Sequence, residues 1–149
     1  MKKIAHPIRL SLWILLLLAL IFGVYLSNVN KVLLVDGICD ITVSSCKFEA
    51  LDQVVSVSFE QKPVPEEELS LNITLPERLE IQTAWVEGIN MYMGKSPVIF
   101  ENPSNAGEGI VFLGSCNLSE MQWRLLIEFS DTQSNERSQH QFIFTTSLD

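Results

Sequence analysis

Sulfur-bearing side chains are the strongest candidates for chemistry in this sequence. A single tyrosine separates Met91 from Met93, and Cys116 and Met121 lie close together in a later connection. Thioether and thiolate groups are soft ligands that suit Cu(I). If residues 91–93 are extended, the two-residue period of a strand places both methionine side chains on one face, where they could hold one ion. The sequence therefore indicates a Cu(I) site made of Met91, Met93, Cys116 and Met121.

Core packing is the alternative role for these methionines. Methionine is a flexible filler of apolar interiors, and Met121 shares an alternating face with Trp123, which favours packing for Met121. For the pair at 91 and 93 both interpretations remain open. Gly88 and Gly94 bracket that pair, an arrangement that suits a loop whose backbone approaches a ligand.

The other two cysteines have the spacing of a structural disulfide. Cys39 and Cys46 enclose six residues, more than the usual two to four between zinc-binding cysteines. A disulfide between them would stabilise the fold by roughly 2 to 3 kcal/mol. Cys116 would then be an unpaired thiol, available to the methionines. A bond from Cys116 to Cys39 or Cys46 is also compatible with the sequence.

Few other residues point to catalysis. His140 lies between two glutamines near the end of the chain, and we expect it to be a solvated histidine. The sequence contains no G-x-S-x-G elbow, no H-E-x-x-H helix and no glycine-rich phosphate loop. We therefore expect a protein that is not an enzyme.

An apolar segment near the start of the chain predicts a membrane anchor. Residues 10–27 form eighteen consecutive uncharged residues. As a helix they would span roughly 27 Å at ~1.5 Å per residue, close to the ~30 Å hydrocarbon core of a bilayer. The segment 10–27 is therefore predicted to be a transmembrane helix.

The flanking charges predict how this helix is oriented. Lys2, Lys3 and Arg9 precede it without any acid, so the positive-inside rule places residues 1–9 in the cytoplasm. The remainder would lie in the periplasm, attached to the inner membrane by a single pass. A cleaved signal peptide is the alternative, but residues 24–28 offer no Ala-x-Ala-like cleavage site.

The segment after the apolar run is strongly acidic. Seven basic and eighteen acidic residues follow Ser27, which gives a net charge of −11. Such a surface is a poor partner for nucleic acid or anionic lipid. The three cysteines also lie in this segment, on the predicted outer side, where disulfides can form and persist.

Short alternating segments predict that the outer part is all-β. In each, apolar residues recur at every second position or form a short run between turn-prone residues. They occupy 53–59, 69–75, 79–86, 98–101, 109–113, 121–129 and 142–144. This number of strands favours an immunoglobulin-like β-sandwich over 53–149, with 28–52 as the linker and first strand region. Trp85 and Trp123 have apolar neighbours, so we expect both in the core or between the two sheets.

Three segments carry a resemblance to a known family. Residues 88–94, 114–116 and 121–124 resemble the corresponding parts of small membrane-anchored bacterial proteins associated with cytochrome oxidase assembly, broadly FixH-like. The resemblance covers the anchor and most of the outer domain. It implies a periplasmic immunoglobulin-like domain in copper supply or oxidase maturation, with a cytochrome oxidase subunit or a copper chaperone as partner. The chain departs from histidine-rich copper carriers, which counts against Cu(II).

Two further functions are compatible with the same residues. The acidic outer domain could be a non-enzymatic interaction module that docks a membrane complex, with the sulfur atoms serving only structural roles. Alternatively, Cys116 could take part in thiol redox chemistry, which requires an accessible thiolate.

Overall fold

A computed structural model of the protein describes residues 15–20, 33–34, 38–101, 107–115 and 117–147. The chain divides into two compact units, Met1–Lys31 and Val32–Asp149. Residues 15–20 are helical, and the rest of the predicted span 10–27 lies outside the described residues. Within the residues described, no helix has the length and apolar character needed to cross a membrane. The transmembrane helix therefore remains a prediction from sequence.

The regular secondary structure described in the second unit consists of β-strands, so the prediction of an all-β domain is confirmed. The strands are β1 (Leu33–Leu34), β2 (Cys39–Asp40), β3 (Cys46–Ala50), β4 (Gln53–Phe59), β5 (Glu68–Thr74), β6 (Leu79–Gly88), β7 (Lys95–Pro97), β8 (Ile99–Phe100), β9 (Glu108–Phe112), β10 (Glu120–Asp131) and β11 (Arg137–Ser147).

These strands form two sheets. The first has the order β1-β11-β10-β6-β7, and β2 also pairs with β11. The second has the order β3-β4-β5-β9-β8. β1 and β2 run parallel to β11, whereas the other pairs are antiparallel.

The inner faces of the two sheets share one hydrophobic core. Alternation along the longer strands, such as β5, β10 and β11, buries every second side chain, as expected for sheets with one solvated face. Aromatic rings connect the sheets. The Phe48 ring of β3 lies 5.0 Å from that of Phe142, and the Phe59 ring of β4 lies 4.8 Å from that of Phe144. Such aromatic contacts add specific geometry to the apolar burial.

A tight hairpin places β3 beside β4. Leu51 and Asp52 have φ angles of 48° and 61°, which is the backbone of a two-residue type I′ turn, and Ala50 pairs with Gln53 across it. β2 and β3 thus lie within 28–52, the range predicted as linker and first strand region. A Leu-Asp turn lacks the Asn-Gly signature that identifies such hairpins in a sequence.

Two side chains differ in solvent exposure from what the sequence indicated. His140 is only 4% exposed because β11 begins at Arg137, which puts His140 on the same inward face as Phe142. The expectation of a solvated histidine was therefore wrong. Trp85 is half-buried between two inward-facing neighbours of β6 rather than in the core, and the Lys95 ammonium lies 4.6 Å from its ring centroid.

Candidate functional site

The connection between β6 and β7 is held firmly to the start of β10. The backbone N–H of Ile89 donates to the carbonyl of Gln122 at 2.8 Å. The Asn90 side chain completes the attachment, since its Oδ1 accepts from the Gln122 N–H at 3.0 Å and its Nδ2 donates to the Glu120 carbonyl at 3.1 Å. Three hydrogen bonds therefore attach Ile89 and Asn90, at the start of the segment that contains the methionine pair, to β10.

The glycines that bracket this connection have roles within the fold. A Cβ on Gly88 would lie 2.2 Å from the Met91 carbonyl oxygen and 2.6 Å from the Met121 Cε methyl, so the backbone can fold back only on a glycine. Gly94 has a φ of +76°, a conformation that favours glycine. The chain's own packing and turn account for both glycines.

The three methionines of the predicted copper site differ in exposure. Met121 is 2% exposed and belongs to the core, Met93 is half-buried against that core, and Met91 is 37% exposed. Met91 lies in a bend and Met93 in an irregular segment, so the strand alternation proposed for them does not apply.

Met93 reaches towards the other sulfur-bearing connection. Its Cε methyl would lie 2.8 Å from a Cβ placed on Gly114. The structure thus brings Met93 beside the residues that lead directly to Cys116. Cys116 itself lies outside the described residues, so its roles as copper ligand or redox thiol remain predictions. Elsewhere in the described ranges, no cluster of three His, Cys, Asp or Glu side chains forms a metal site, a statement that does not cover methionine.

Exposed apolar side chains project from the same connection. Tyr92 is 91% exposed, Ile89 45% and Met91 37%. We call Ile89, Met91 and Tyr92 the Tyr92 tip. Clustered apolar residues on a solvent-facing segment are typical of a contact surface for another molecule.

The disulfide loop lies at another connection of the domain. Cys39 and Cys46 are joined, with their Cα atoms 6.2 Å apart. Within the loop, Asp40 Oδ1 accepts from both the N–H and the hydroxyl of Thr42, at 2.8 and 2.6 Å. The Thr42 hydroxyl in turn accepts from the Thr145 N–H at 2.9 Å, which ties the loop to β11.

A cleft of about 300 Å³ separates this loop from the end of β4. Residues 41–45 line one side and residues 58–62 the other, with several hydroxyl groups, one acid and one base. The sequence gives no sign of this cleft, because its two walls share no motif and meet only in the fold.

The cleft and the Tyr92 tip lie at the same end of the sandwich. Lys62 Nζ, in the cleft wall, is 3.5 Å from the Ser147 hydroxyl. Ser147 is the register partner of Glu120, whose carbonyl accepts the Asn90 hydrogen bond. One end of the domain therefore presents both an apolar projection and a cleft of mixed polar and apolar lining.

Comparison with protein-family models, with curated proteins and with solved structures finds no match to this chain. The resemblance to FixH-like proteins therefore rests on the three sequence segments that carry it.

Proposed function

We propose that the chain is a single-pass membrane protein whose outer domain is a non-enzymatic docking module for a membrane complex. The Tyr92 tip is the contact surface. The observation that carries this proposal is the 91% exposure of Tyr92 on a connection that three hydrogen bonds hold to β10. Aromatic residues are common binding hot spots, and a segment ordered before binding loses less conformational entropy.

Charge defines the kind of partner. The segment after Ser27 carries a net charge of −11. Complementary potentials accelerate encounter and suppress wrong partners, so the partner is expected to expose a basic surface around an apolar pocket for Tyr92.

Two observations support a location outside the cytoplasm. Lys2, Lys3 and Arg9 precede the apolar segment, which favours an N-terminus in the cytoplasm. The disulfide between Cys39 and Cys46 suits an oxidising compartment such as the periplasm.

The strand order supports an immunoglobulin-like sandwich. β6, β10 and β11 are antiparallel neighbours in one sheet, while β4, β5 and β9 are antiparallel neighbours in the other. The chain passes between the sheets from β5 to β6 and again from β9 to β10. Such alternation between two antiparallel sheets is characteristic of this fold.

Photo-crosslinking in native membranes tests the docking role. A photoreactive amino acid replaces Tyr92 in the full chain, and a matched variant carries it at Val54, which is 68% exposed on β4. We expect position 92 alone to capture a subunit of an integral membrane complex with a basic outer surface. Capture should fall as salt rises from about 0.1 M to about 1 M. The same adducts from both positions, or no adduct from position 92, would contradict the proposal.

Copper handling is the second candidate, favoured by the contact of Met93 with Gly114. In this proposal Met91, Met93 and Cys116 hold Cu(I) as cargo for cytochrome oxidase maturation, while Met121 packs beside them. Anaerobic titration of Cu(I) into the full chain in detergent, against a competing chelator, tests the proposal. We expect tight uptake that is lost in Met91→Leu/Met93→Leu and retained in Met121→Leu. A folded wild type that takes up no copper would exclude this role.

A further inference from the structure

The outer edge of β3 is an unpaired strand edge within the part of the chain that the structure describes. β3 pairs there only with β4, and it is five residues long. The other sheet edges end in strands of two or three residues, namely β1, β2, β7 and β8. Short edge strands are a common protection against pairing with another chain, and β3 lacks this protection.

The hairpin fixes which backbone groups of β3 point outwards. Ala50 and Gln53 flank the two-residue turn and form a hydrogen-bonded pair. Hydrogen-bonded and non-hydrogen-bonded pairs alternate along an antiparallel ladder, so Phe48 also bonds to β4. The N–H and C=O groups of Lys47 and Glu49 therefore point away from β4, towards the open edge, and both side chains are exposed.

We propose that β3 pairs antiparallel with β3 of a second copy of this chain, about a two-fold axis at Phe48. In this register Lys47 faces the partner's Glu49, and Glu49 faces the partner's Lys47. Each of these pairs exchanges both backbone hydrogen bonds, which uses all the outward groups of the two residues. Opposite charges directly across a strand pair are also favourable.

Neighbouring symmetric registers are worse. Centring the pair on Lys47 places two ammonium groups opposite each other, and centring it on Glu49 does the same with two carboxylates. Only the register about Phe48 combines paired backbone groups with opposite charges. It also brings together the half-buried Phe48 side chains of the two copies, whose Cα atoms would lie ~4.5 Å apart as a non-hydrogen-bonded pair.

The proposed contact is two-fold symmetric and therefore closed. Two five-stranded sheets join through their β3 edges into one continuous sheet, and the other edge of each ends at the short strand β8. An isologous contact of this kind forms a dimer rather than a fibre. The inference does not depend on the docking function, since the β3 edge and the Tyr92 tip use different residues.

Charge reversal tests the proposed register. The full chain in detergent is followed by sedimentation velocity over a range of concentrations. Lys47→Glu alone, or Glu49→Lys alone, replaces two attractive pairs with two repulsive ones, so the dimer should weaken roughly tenfold or more. The double variant Lys47→Glu/Glu49→Lys restores complementary pairs and should return the dissociation constant to near the wild-type value.

Removing one backbone donor gives an independent test. Lys47→Pro eliminates the outward N–H but no hydrogen bond to β4, so it should abolish the dimer. Circular dichroism melting should stay close to wild type for this variant and for the charge variants. A wild type that stays monomeric at every concentration would overturn the proposal. A dimer that none of these variants weakens would overturn it too, because association would then use another part of the chain.

Discussion

The Trp123 indole donates a hydrogen bond of 2.9 Å to the Thr146 hydroxyl inside the core. The two residues are 2% and 1% exposed. The bond crosses diagonally from β10 to β11, since Trp123 is the register partner of Phe144, whose ring stacks on the indole at 6.3 Å. It joins the two longest strands near the end of the sandwich that carries the Tyr92 tip.

Removing the hydroxyl acceptor should destabilise the domain. In Thr146→Val the shape is retained but the buried indole N–H loses its partner, at a cost of about 1 to 3 kcal/mol. Urea unfolding followed by tryptophan fluorescence measures the loss. Thr146→Ser keeps the acceptor and should lie much closer to wild type. A Thr146→Val variant as stable as wild type, or one that loses less than Thr146→Ser, would contradict the importance of this hydrogen bond.

Hydrophobic alternation predicted the strands with apolar inner faces. β4 coincides with the predicted segment 53–59, and β10 contains the predicted segment 121–129. β11 was predicted only over 142–144, although it begins at Arg137. Its inward residues Ser138 and His140 are polar, so the alternation is invisible in hydrophobicity. Only pairing with β10 along eleven register positions shows that this part is a strand.

Acidification should weaken the turn between β10 and β11. The buried Asp131 carboxylate accepts from the backbone N–H groups of Gln133 and Ser134, at 2.7 and 3.0 Å, and from the Arg78 guanidinium at 2.6 Å. These hydrogen bonds, the backbone ones first, lower its pKa below the ordinary value of 3.8. A lowered pKa stabilises the fold above pH 3.8, and this contribution is lost as the pH falls through the folded-state value.

Asp131→Asn isolates this effect. We expect a lower urea midpoint than wild type at pH 7 and a difference that shrinks as the pH falls below 3.8. Glu128→Gln is the matched control, because it breaks an ion pair with Arg137, which is 43% exposed, and such exposed pairs contribute little. A difference between Asp131→Asn and wild type that stays constant with pH would contradict the assignment.

His140 should introduce a second pH dependence at higher pH. Its ring lies 4.6 Å from that of Phe48 and 5.8 Å from that of Phe129, and its Nε2 has no partner among the described residues. Burial lowers its pKa below 6.5, so the neutral form is favoured in the fold. The contribution of neutral His140 to the free energy of unfolding is therefore fully present above pH 6.5. It declines as the pH falls from there towards the folded-state pKa.

His140→Leu should remove this decline. It also eliminates the buried unpaired nitrogen, so we expect stability at neutral pH to rise by about 1 kcal/mol. Thermal melts between pH 7 and pH 5 compare the variant with wild type. His140→Gln keeps a buried polar group that does not titrate in this range. Its melting temperature should also be independent of pH, but lower than that of His140→Leu. A decline that persists in His140→Leu would assign it to another group.

The sequence singled out the connection between β6 and β7, but it did not predict the orientation of the side chains there. Spacing grouped Met91, Met93 and Met121 in one predicted site, although the face that Met121 shares with Trp123 favoured core packing for Met121. Their exposures differ because Met121 lies on the inward face of β10, whereas Met91 follows the fold-back at Gly88, where Tyr92 projects outwards. Such a reversal depends on contacts between segments thirty residues apart, which no local pattern contains.

The close packing at Gly88 gives a sharp test of this geometry. In Gly88→Ala the new methyl would overlap the Met91 carbonyl, which is backbone, so the connection itself would have to shift. We expect a loss of about 1 to 3 kcal/mol, as for overpacking in a well-filled core. Gly114→Ala is the matched control, since its methyl meets only the flexible end of Met93 at 2.8 Å and should cost little. Unfolding curves that place the two variants together would show that the connection is not folded against Gly88, and Tyr92 would then lose its fixed presentation.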